Sequence, residues 1–121
     1  MVAPDAERMV ENVIPILSVL NLQRSFDFYV TALGFKKDWS TQGVGSVSRD
    51  GCAIMLAETQ NGVSRSAVWI GVEDVVSMFN SCQASGAKIL LEPTNFDWAC
   101  EMRVEDPDGH VMRIGGEPLT E

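Results

Sequence analysis

The sequence is poor in the residues that build metal centres and disulfide frameworks. Its 121 residues include one histidine, His110, and three cysteines, Cys52, Cys82 and Cys100. The cysteines are odd in number, form no Cys-x-x-Cys motif and have no histidine beside them, which argues against a disulfide framework and a zinc site. We therefore expect buried free thiols, and a solvated turn position for His110.

Long hydrophobic runs and an excess of basic residues are also missing. No segment approaches the ~20 apolar residues of a membrane span. Nine Lys and Arg stand against 17 Asp and Glu, and the net charge of -8 would repel a phosphate backbone. We expect neither a membrane nor nucleic acid as a partner, whereas a basic small molecule is compatible with this charge.

The first twelve residues do not look like a secretory signal. They carry acids where such a signal needs a positive segment followed by an apolar one. We therefore expect a cytoplasmic location.

Motifs for nucleophilic catalysis and phosphate binding are missing too. No serine or cysteine stands in a motif with a base. The glycine-rich stretch 43–46 joins two predicted strands and does not precede a helix, so it is not a phosphate loop. The residues themselves predict no catalytic group, no metal ligand and no cofactor.

The sequence does contain one order of predicted strands and helix that occurs twice. Residues 12–21 predict a strand edged by Pro15, and an apolar stripe of helical period follows, with Asn21 as N-cap and Gly34 near the helix end. Strands are predicted at 36–41, 43–49 and 52–58.

The second half repeats this order. It has a strand at 67–72, a helix from about Asp74, a strand at 88–92 that breaks at Pro93, and strands at 96–105 and 110–115. The sequence thus predicts a single α+β domain over 1–121, made of two βαβββ modules at about 12–58 and 66–116 with a connector at 59–65. We expect their mostly antiparallel sheets to curl around a cleft.

Two stretches resemble a known superfamily. "IPILSVLNLQRSFDFYVTALGF" (14–35) and "VEDPDGHVMRI" (104–114) are similar to the opening and closing motifs of the vicinal oxygen chelate superfamily, which includes glyoxalase I, extradiol dioxygenases and bleomycin resistance proteins. Enzymes of this superfamily bind a divalent metal through four side chains. The resemblance places these at Ile14, Met55, Ala67 and Arg113, none of which is a ligand of the expected kind.

Within the superfamily, the chain most resembles the metal-free bleomycin resistance proteins. The likeness lies in the proline of the opening strand, in "FYVTALGFKKDW", in "SAVWIGV" and in the missing ligands. It implies a homodimer, with strands exchanged between chains, that sequesters a drug in clefts at the dimer interface without altering it.

The function implied is metal-free binding of an aromatic, cationic drug-like molecule, such as a bleomycin-type glycopeptide, and thereby antibiotic resistance. On this reading the protein is more a binder than an enzyme. Two alternatives remain open. One is a metal-dependent lyase or dioxygenase of the same superfamily, and the other is an interaction module with a filled core.

Strand alternation and aromatic positions select the candidate site residues. Arg113 takes a position that would hold a metal ligand, so we expect its guanidinium in the cleft. Glu101 and Arg103 share one face of their strand, opposite the core-facing Met102 and Val104. The predicted ligand-binding residues are Trp39, Met55, Trp69, Phe96, Trp98, Glu101, Arg103 and Arg113.

Overall fold

A computed structural model of the protein describes residues 9–120. In chain order the elements are β1 (Ile16–Val19), α1 (Leu22–Thr31), β2 (Lys36–Thr41), β3 (Val44–Arg49), β4 (Cys52–Glu58), β5 (Ala67–Gly71), α2 (Val75–Ala84), β6 (Lys88–Asn95), β7 (Cys100–Glu105) and β8 (Val111–Gly116). The predicted α+β fold, with strand, helix and three strands occurring twice, is confirmed. The expected cytoplasmic location was inferred from the first twelve residues, and residues 1–8 of that segment lie outside the described residues.

The two halves have the same topology. The first sheet has the strand order β1-β4-β3-β2 and the second has the order β5-β8-β7-β6. In each sheet the first strand pairs in parallel with the last strand of its half, and the other pairings are antiparallel.

Both helices begin at a side-chain cap. Asn21 Oδ1 accepts a hydrogen bond from the backbone N–H of Arg24, and Asp74 Oδ1 accepts one from that of Ser77, each at 2.9 Å. Such caps satisfy N–H groups that have no partner in the first turn. After α1, Gly34 has a φ of +72° and the N–H of Phe35 bonds to the carbonyl of Tyr29, so the predicted end of this helix at a glycine is confirmed.

The core lies between each helix and one face of its sheet. Alternate strand residues are fully or almost fully buried there, including Leu17 and Leu56 in the first sheet and Met102 and Ile114 in the second. Each such side chain contributes roughly 1.5–3 kcal/mol by leaving water. Because side chains alternate along a strand, the residues between them emerge on the opposite face, which carries no helix.

Buried polar contacts join the two halves. The Tyr29 hydroxyl donates to Asp106 Oδ2 at 2.8 Å, and burial together with Asp106 raises the pKa of Tyr29. His110 Nδ1 accepts from the N–H of Ser66, while its Nε2 lies 2.7 Å from the carbonyl of Ser18. The expectation of a solvated His110 is therefore wrong: the ring is fully buried and is held between the halves as the neutral Nε2–H tautomer.

The strand prediction around Pro93 is wrong in two ways. Strand β6 continues through Pro93 to Asn95, which is tolerated because β6 is an edge strand with irregular register against β7. Strand β7 begins only at Cys100. Residues 96–99 instead form a tight connection, in which the N–H of Phe96 bonds to the carbonyl of Ala99.

The cysteine expectation holds for two of the three thiols. Cys82 and Cys100 are buried and Cys52 is exposed, and burial raises the pKa of the Cys82 thiol to about 11. Within 9–120, neither of the ten-residue helices is long enough to cross a membrane.

Candidate functional site

The open face of the second sheet collects charged and aromatic side chains. Trp69 on β5 is paired with Arg113 on β8, and Arg113 is paired with Arg103 on β7. Glu101 lies two residues before Arg103 and therefore on the same face. The register brings four of the predicted site residues together across three adjacent strands.

Glu101 is the centre of this cluster. Its Oε2 accepts hydrogen bonds from Arg103 Nε at 2.8 Å and Arg113 Nε at 2.7 Å, while its Oε1 accepts from Arg113 Nη2 and Trp98 Nε1 at 3.0 Å each. The residue has no exposed surface, and its two oxygens accept these four hydrogen bonds in place of water. The result is a carboxylate fixed from three directions, with two guanidinium groups anchored to it.

The same contacts set the ionisation of the cluster. Hydrogen bonds from Arg113 lower the pKa of Glu101 to about 2; Arg103 and Trp98 add to this effect, and burial opposes it. The hydrogen bonds to Glu101 also raise the pKa of Arg113. The Glu101 carboxylate and the Arg113 guanidinium are therefore both charged at neutral pH.

Trp69 covers the sheet beside the cluster. A Cβ placed on Gly115 would lie 2.2 Å from Trp69 Cη2, so the ring occupies space that any side chain at position 115 would fill. The guanidinium carbon of Arg113 stands 5.6 Å from the centre of the ring, within the range of a cation–π contact. Trp69 is nevertheless 49% exposed, which leaves ring surface open to a ligand.

Gly115 is a site residue that the sequence reasoning missed. A glycine inside a strand indicates a close approach of another group, and this signal was present in the run "RIGG".

A second aromatic surface lies at the β6–β7 connection. The rings of Phe96 and Trp98 are stacked with centres 4.6 Å apart and 5° between their planes. The indole N–H of Trp98 is fixed on Glu101, yet the residue is 60% exposed. The predicted residues Phe96 and Trp98 therefore join the cluster through the carboxylate.

Trp39 and Met55 belong to the first sheet. Met55 is paired with Ile16 and Ser46, and Trp39 is also paired with Ser46. No hydrogen bond, ion pair or aromatic contact joins either residue to the Glu101 cluster within the described chain. The structure thus brings six of the eight predicted residues together and leaves these two on the other sheet.

Trp69 also lines a hollow between the two halves. This hollow measures about 680 Å³ and is bordered by the segment before β1, by Asp38 and Ser48 of the first sheet, and by Trp69 and its neighbours on β5. Its volume is in the range of ordinary small-molecule sites. Asp38 accepts hydrogen bonds from the hydroxyls of Ser46 and Ser48.

The residues at the four metal positions of the superfamily do not fit a metal. Ile14 and Ala67 are aliphatic, Met55 has only a thioether, and the Arg113 guanidinium is committed to Glu101. No group of three or more His, Cys, Asp or Glu suited to a metal ion occurs within 9–120. We derive no step through a metal.

Taken together, the two βαβββ modules, each with a helix on one face of its sheet and an open second face, define an α+β domain of paired modules. The chain belongs to the Glyoxalase/Bleomycin resistance protein/Dioxygenase superfamily, whose family model matches residues 12–114. The predicted superfamily is therefore confirmed. Among curated proteins, none matches this chain.

Solved structures share this fold at low sequence identity. TioX from Micromonospora sp. ML1 has 21% identity and a TM-score of 0.80, over 91% of this chain and 100% of that one. A bleomycin resistance determinant encoded on the transposon Tn5 has 18% identity and a TM-score of 0.80, again over 91% and 100%. An integron cassette protein from the mobile metagenome of V. cholerae has 17% identity and a TM-score of 0.75, over 90% and 96%.

Proposed function

We propose that this protein is a metal-free small-molecule binder of the bleomycin resistance type, which sequesters an aromatic ligand without altering it. The observation that carries the proposal is the pair of exposed aromatic surfaces, Trp69 and the Phe96–Trp98 stack, held beside the Glu101 cluster. Fixed rings lose little conformational entropy when a flat ligand stacks on them. An indole that served only to fill the core would be buried, whereas Trp69 is 49% exposed and Trp98 is 60% exposed.

The chemistry of the four superfamily positions supports binding over metal catalysis. Ile14, Met55, Ala67 and Arg113 offer no carboxylate or imidazole, and these are the groups that hold a catalytic zinc, iron or manganese. A lyase or dioxygenase would therefore need a different set of ligands.

We further propose that the ligand is held in clefts at the interface of a homodimer, with strands exchanged between the chains. Both open faces leave large apolar side chains in water: Ile16 is 62% exposed and Trp69 is 49% exposed. In one chain the contacts between the halves include buried hydrogen bonds from Tyr29 and His110, and they leave these faces uncovered. A second copy would cover them and form the far wall of each cleft.

The ligand we propose is drug-like and aromatic, with cationic groups that the net charge of -8 would attract from solution. A bleomycin-type glycopeptide fits this description, and its sequestration in the cytoplasm would give antibiotic resistance.

Metal analysis of the freshly purified protein, combined with a tryptophan fluorescence titration against metal-free bleomycin, tests this function. We expect near-zero metal, a dimer by analytical ultracentrifugation, and quenching that saturates near two ligands per dimer. Stoichiometric metal would point to an enzyme of the superfamily, and absence of quenching would reject a bleomycin-type ligand.

A further inference from the structure

We propose that Arg103 and Arg113 form an anion subsite, so that the ring bound at Trp69 or at the Phe96–Trp98 stack carries a carboxylate. This inference rests on the proposed function and names the chemical class of its ligand: an aromatic acid.

The charges of the cluster do not balance. Two guanidinium groups share the single carboxylate of Glu101, and the net charge of these three residues is positive. Lys88 on β6 and Glu105 at the end of β7 form an ion pair with each other at 3.5 Å. Within 9–120 neither arginine forms a salt bridge with any other acid, so one of the two positive charges has no carboxylate of its own within 4.0 Å.

Most of the hydrogen-bond donors of the two arginines are also unused. A guanidinium has five N–H groups. Arg113 gives two of them to Glu101, which leaves three, and Arg103 gives one, which leaves four. No other hydrogen bond from either side chain occurs within 9–120, and both side chains keep about two fifths of their surface in water, 38% for Arg103 and 41% for Arg113.

The free donors lie at the ends of the two side chains. Both Nε atoms bond to Glu101 Oε2, which has no exposed surface, so the N–H groups that remain free are those of the terminal Nη atoms. Arg113 is held by two hydrogen bonds and by the ring of Trp69. A guanidinium fixed in this way binds a carboxylate through two parallel N–H···O bonds with little further loss of entropy.

The aromatic surfaces require that the anion be attached to a ring. A free anion would gain the guanidinium bonds alone and would be repelled by the net charge of -8. A carboxylate on an aromatic ring is coplanar with it, so the ring can lie on Trp69 or on the Phe96–Trp98 stack while the acid meets the arginines.

The net charge acts across the whole surface and is screened beyond about 10 Å at 0.1 M salt, whereas the arginines act at contact. Cationic groups elsewhere on the same ligand are compatible with this arrangement.

Three naphthalene probes of equal shape test the inference: 2-naphthoate, 2-naphthamide and 2-naphthylmethylammonium. Each is titrated into 15N-labelled protein in buffer free of phosphate and sulfate, and binding is followed by the indole N–H signals, assigned with Trp→Phe variants. We expect 2-naphthoate to bind about tenfold more tightly than 2-naphthamide, because a charge-assisted pair replaces a neutral hydrogen bond, and to shift the signals of Trp69 and Trp98.

Matched variants locate the effect. Arg103→Gln should lower the affinity for 2-naphthoate to that for 2-naphthamide and leave the amide unchanged. Lys36→Gln removes the same charge from the exposed strand β2, where Lys36 makes no hydrogen bond or ion pair within the described chain, and should keep the preference for the acid.

Equal affinity for the acid and the amide, or a preference for the ammonium probe, would overturn the inference and leave the proposed function standing. Absence of binding by all three probes would overturn both. If Arg103→Gln dissociates the dimer and keeps the preference for the acid, the arginine serves a partner chain and the inference is wrong. The wild-type titration decides between the three probes even if the variant does not fold.

Discussion

The open faces of the two sheets are built by the same order of strands and carry different chemistry. The first presents mainly small and aliphatic side chains, such as Ile16 and Met55, together with Trp39, and its acid Asp38 accepts hydrogen bonds from serine hydroxyls. The second presents Trp69 and an ion cluster around a buried carboxylate. Because the strand pairing is the same, the difference comes from the side chains alone. A repeated fold therefore fixes where a ligand can lie and leaves the kind of ligand to a few alternating positions.

The sharpest test of this comparison uses two glycines that each lie under a ring. A Cβ on Gly45 would come within 2.2 Å of the Phe26 ring on the core side of the first sheet, and a Cβ on Gly115 would come equally close to Trp69 on the open side of the second. Phe26 is 3% exposed and cannot move aside. We expect Gly45→Ala to destabilise the protein by about 2–3 kcal/mol through overpacking, as measured by urea unfolding.

Gly115→Ala should cost less than about 1 kcal/mol, because the half-exposed Trp69 can swing into water. Its main effect should be loss of aromatic ligand affinity. Equal destabilisation by the two variants would mean that Trp69 is as firmly packed as a core residue.

Removing one acid from each face gives the next largest contrast. Glu101→Ala leaves two arginines close together without their carboxylate, and we expect a loss of about 2 kcal/mol, typical of hydrogen bonds to a charged group. Asp38→Ala on the first sheet removes an acid bonded only to hydroxyls and should cost less than about 1 kcal/mol. The free energies of unfolding of both variants measure this, and a larger effect at Asp38 would contradict the contrast.

Ligand affinity provides a third contrast. Trp69→Ala should weaken binding of an aromatic ligand by about tenfold or more through loss of the stacking surface, with the oligomeric state unchanged. Ile16→Ala, at a comparably exposed position of the first sheet, should change affinity by less than about threefold. Titrations followed by calorimetry compare them, and an unchanged affinity in Trp69→Ala would show that the ligand lies elsewhere.

The smallest expected effect is a pH dependence of stability that comes from Glu101 on the second sheet. In the folded protein the pKa of Glu101 is lowered from its ordinary 4.5 to about 2, so below pH 4.5 the unfolded chain binds a proton that the folded chain does not. The stabilisation by this carboxylate is complete above about pH 4.5 and is lost as the pH falls toward 2.

The stability difference between the wild type and Glu101→Gln should therefore be constant from pH 7 to 5 and shrink below pH 4.5. Urea unfolding at each pH measures it. A difference that is independent of pH down to 3 would show that the carboxylate is not held in its charged form.

The sequence predicted what depends on local pattern. Asn21 and Gly34 marked the ends of α1, and alternation assigned Glu101 and Arg103 to the face opposite Met102. The prediction failed where the tertiary position of a residue overrides its local preference. Pro93 is tolerated because its strand lies at an edge, and His110 is buried because the other half of the chain supplies a carbonyl for its ring. The convergence of both arginines on Glu101 depends on strand register, which a single sequence does not reveal.

The contact between Trp69 and Gly115 has a consequence for how this chain can vary. The two positions are more than forty residues apart, yet the choice at one limits the choice at the other. A methyl group at 115 would displace the Trp69 ring from the sheet, so the small loss of stability in Gly115→Ala should be partly regained by Trp69→Leu. Among descendants of this sequence the pair would change together, and a tryptophan at 69 would remain only where 115 stays glycine.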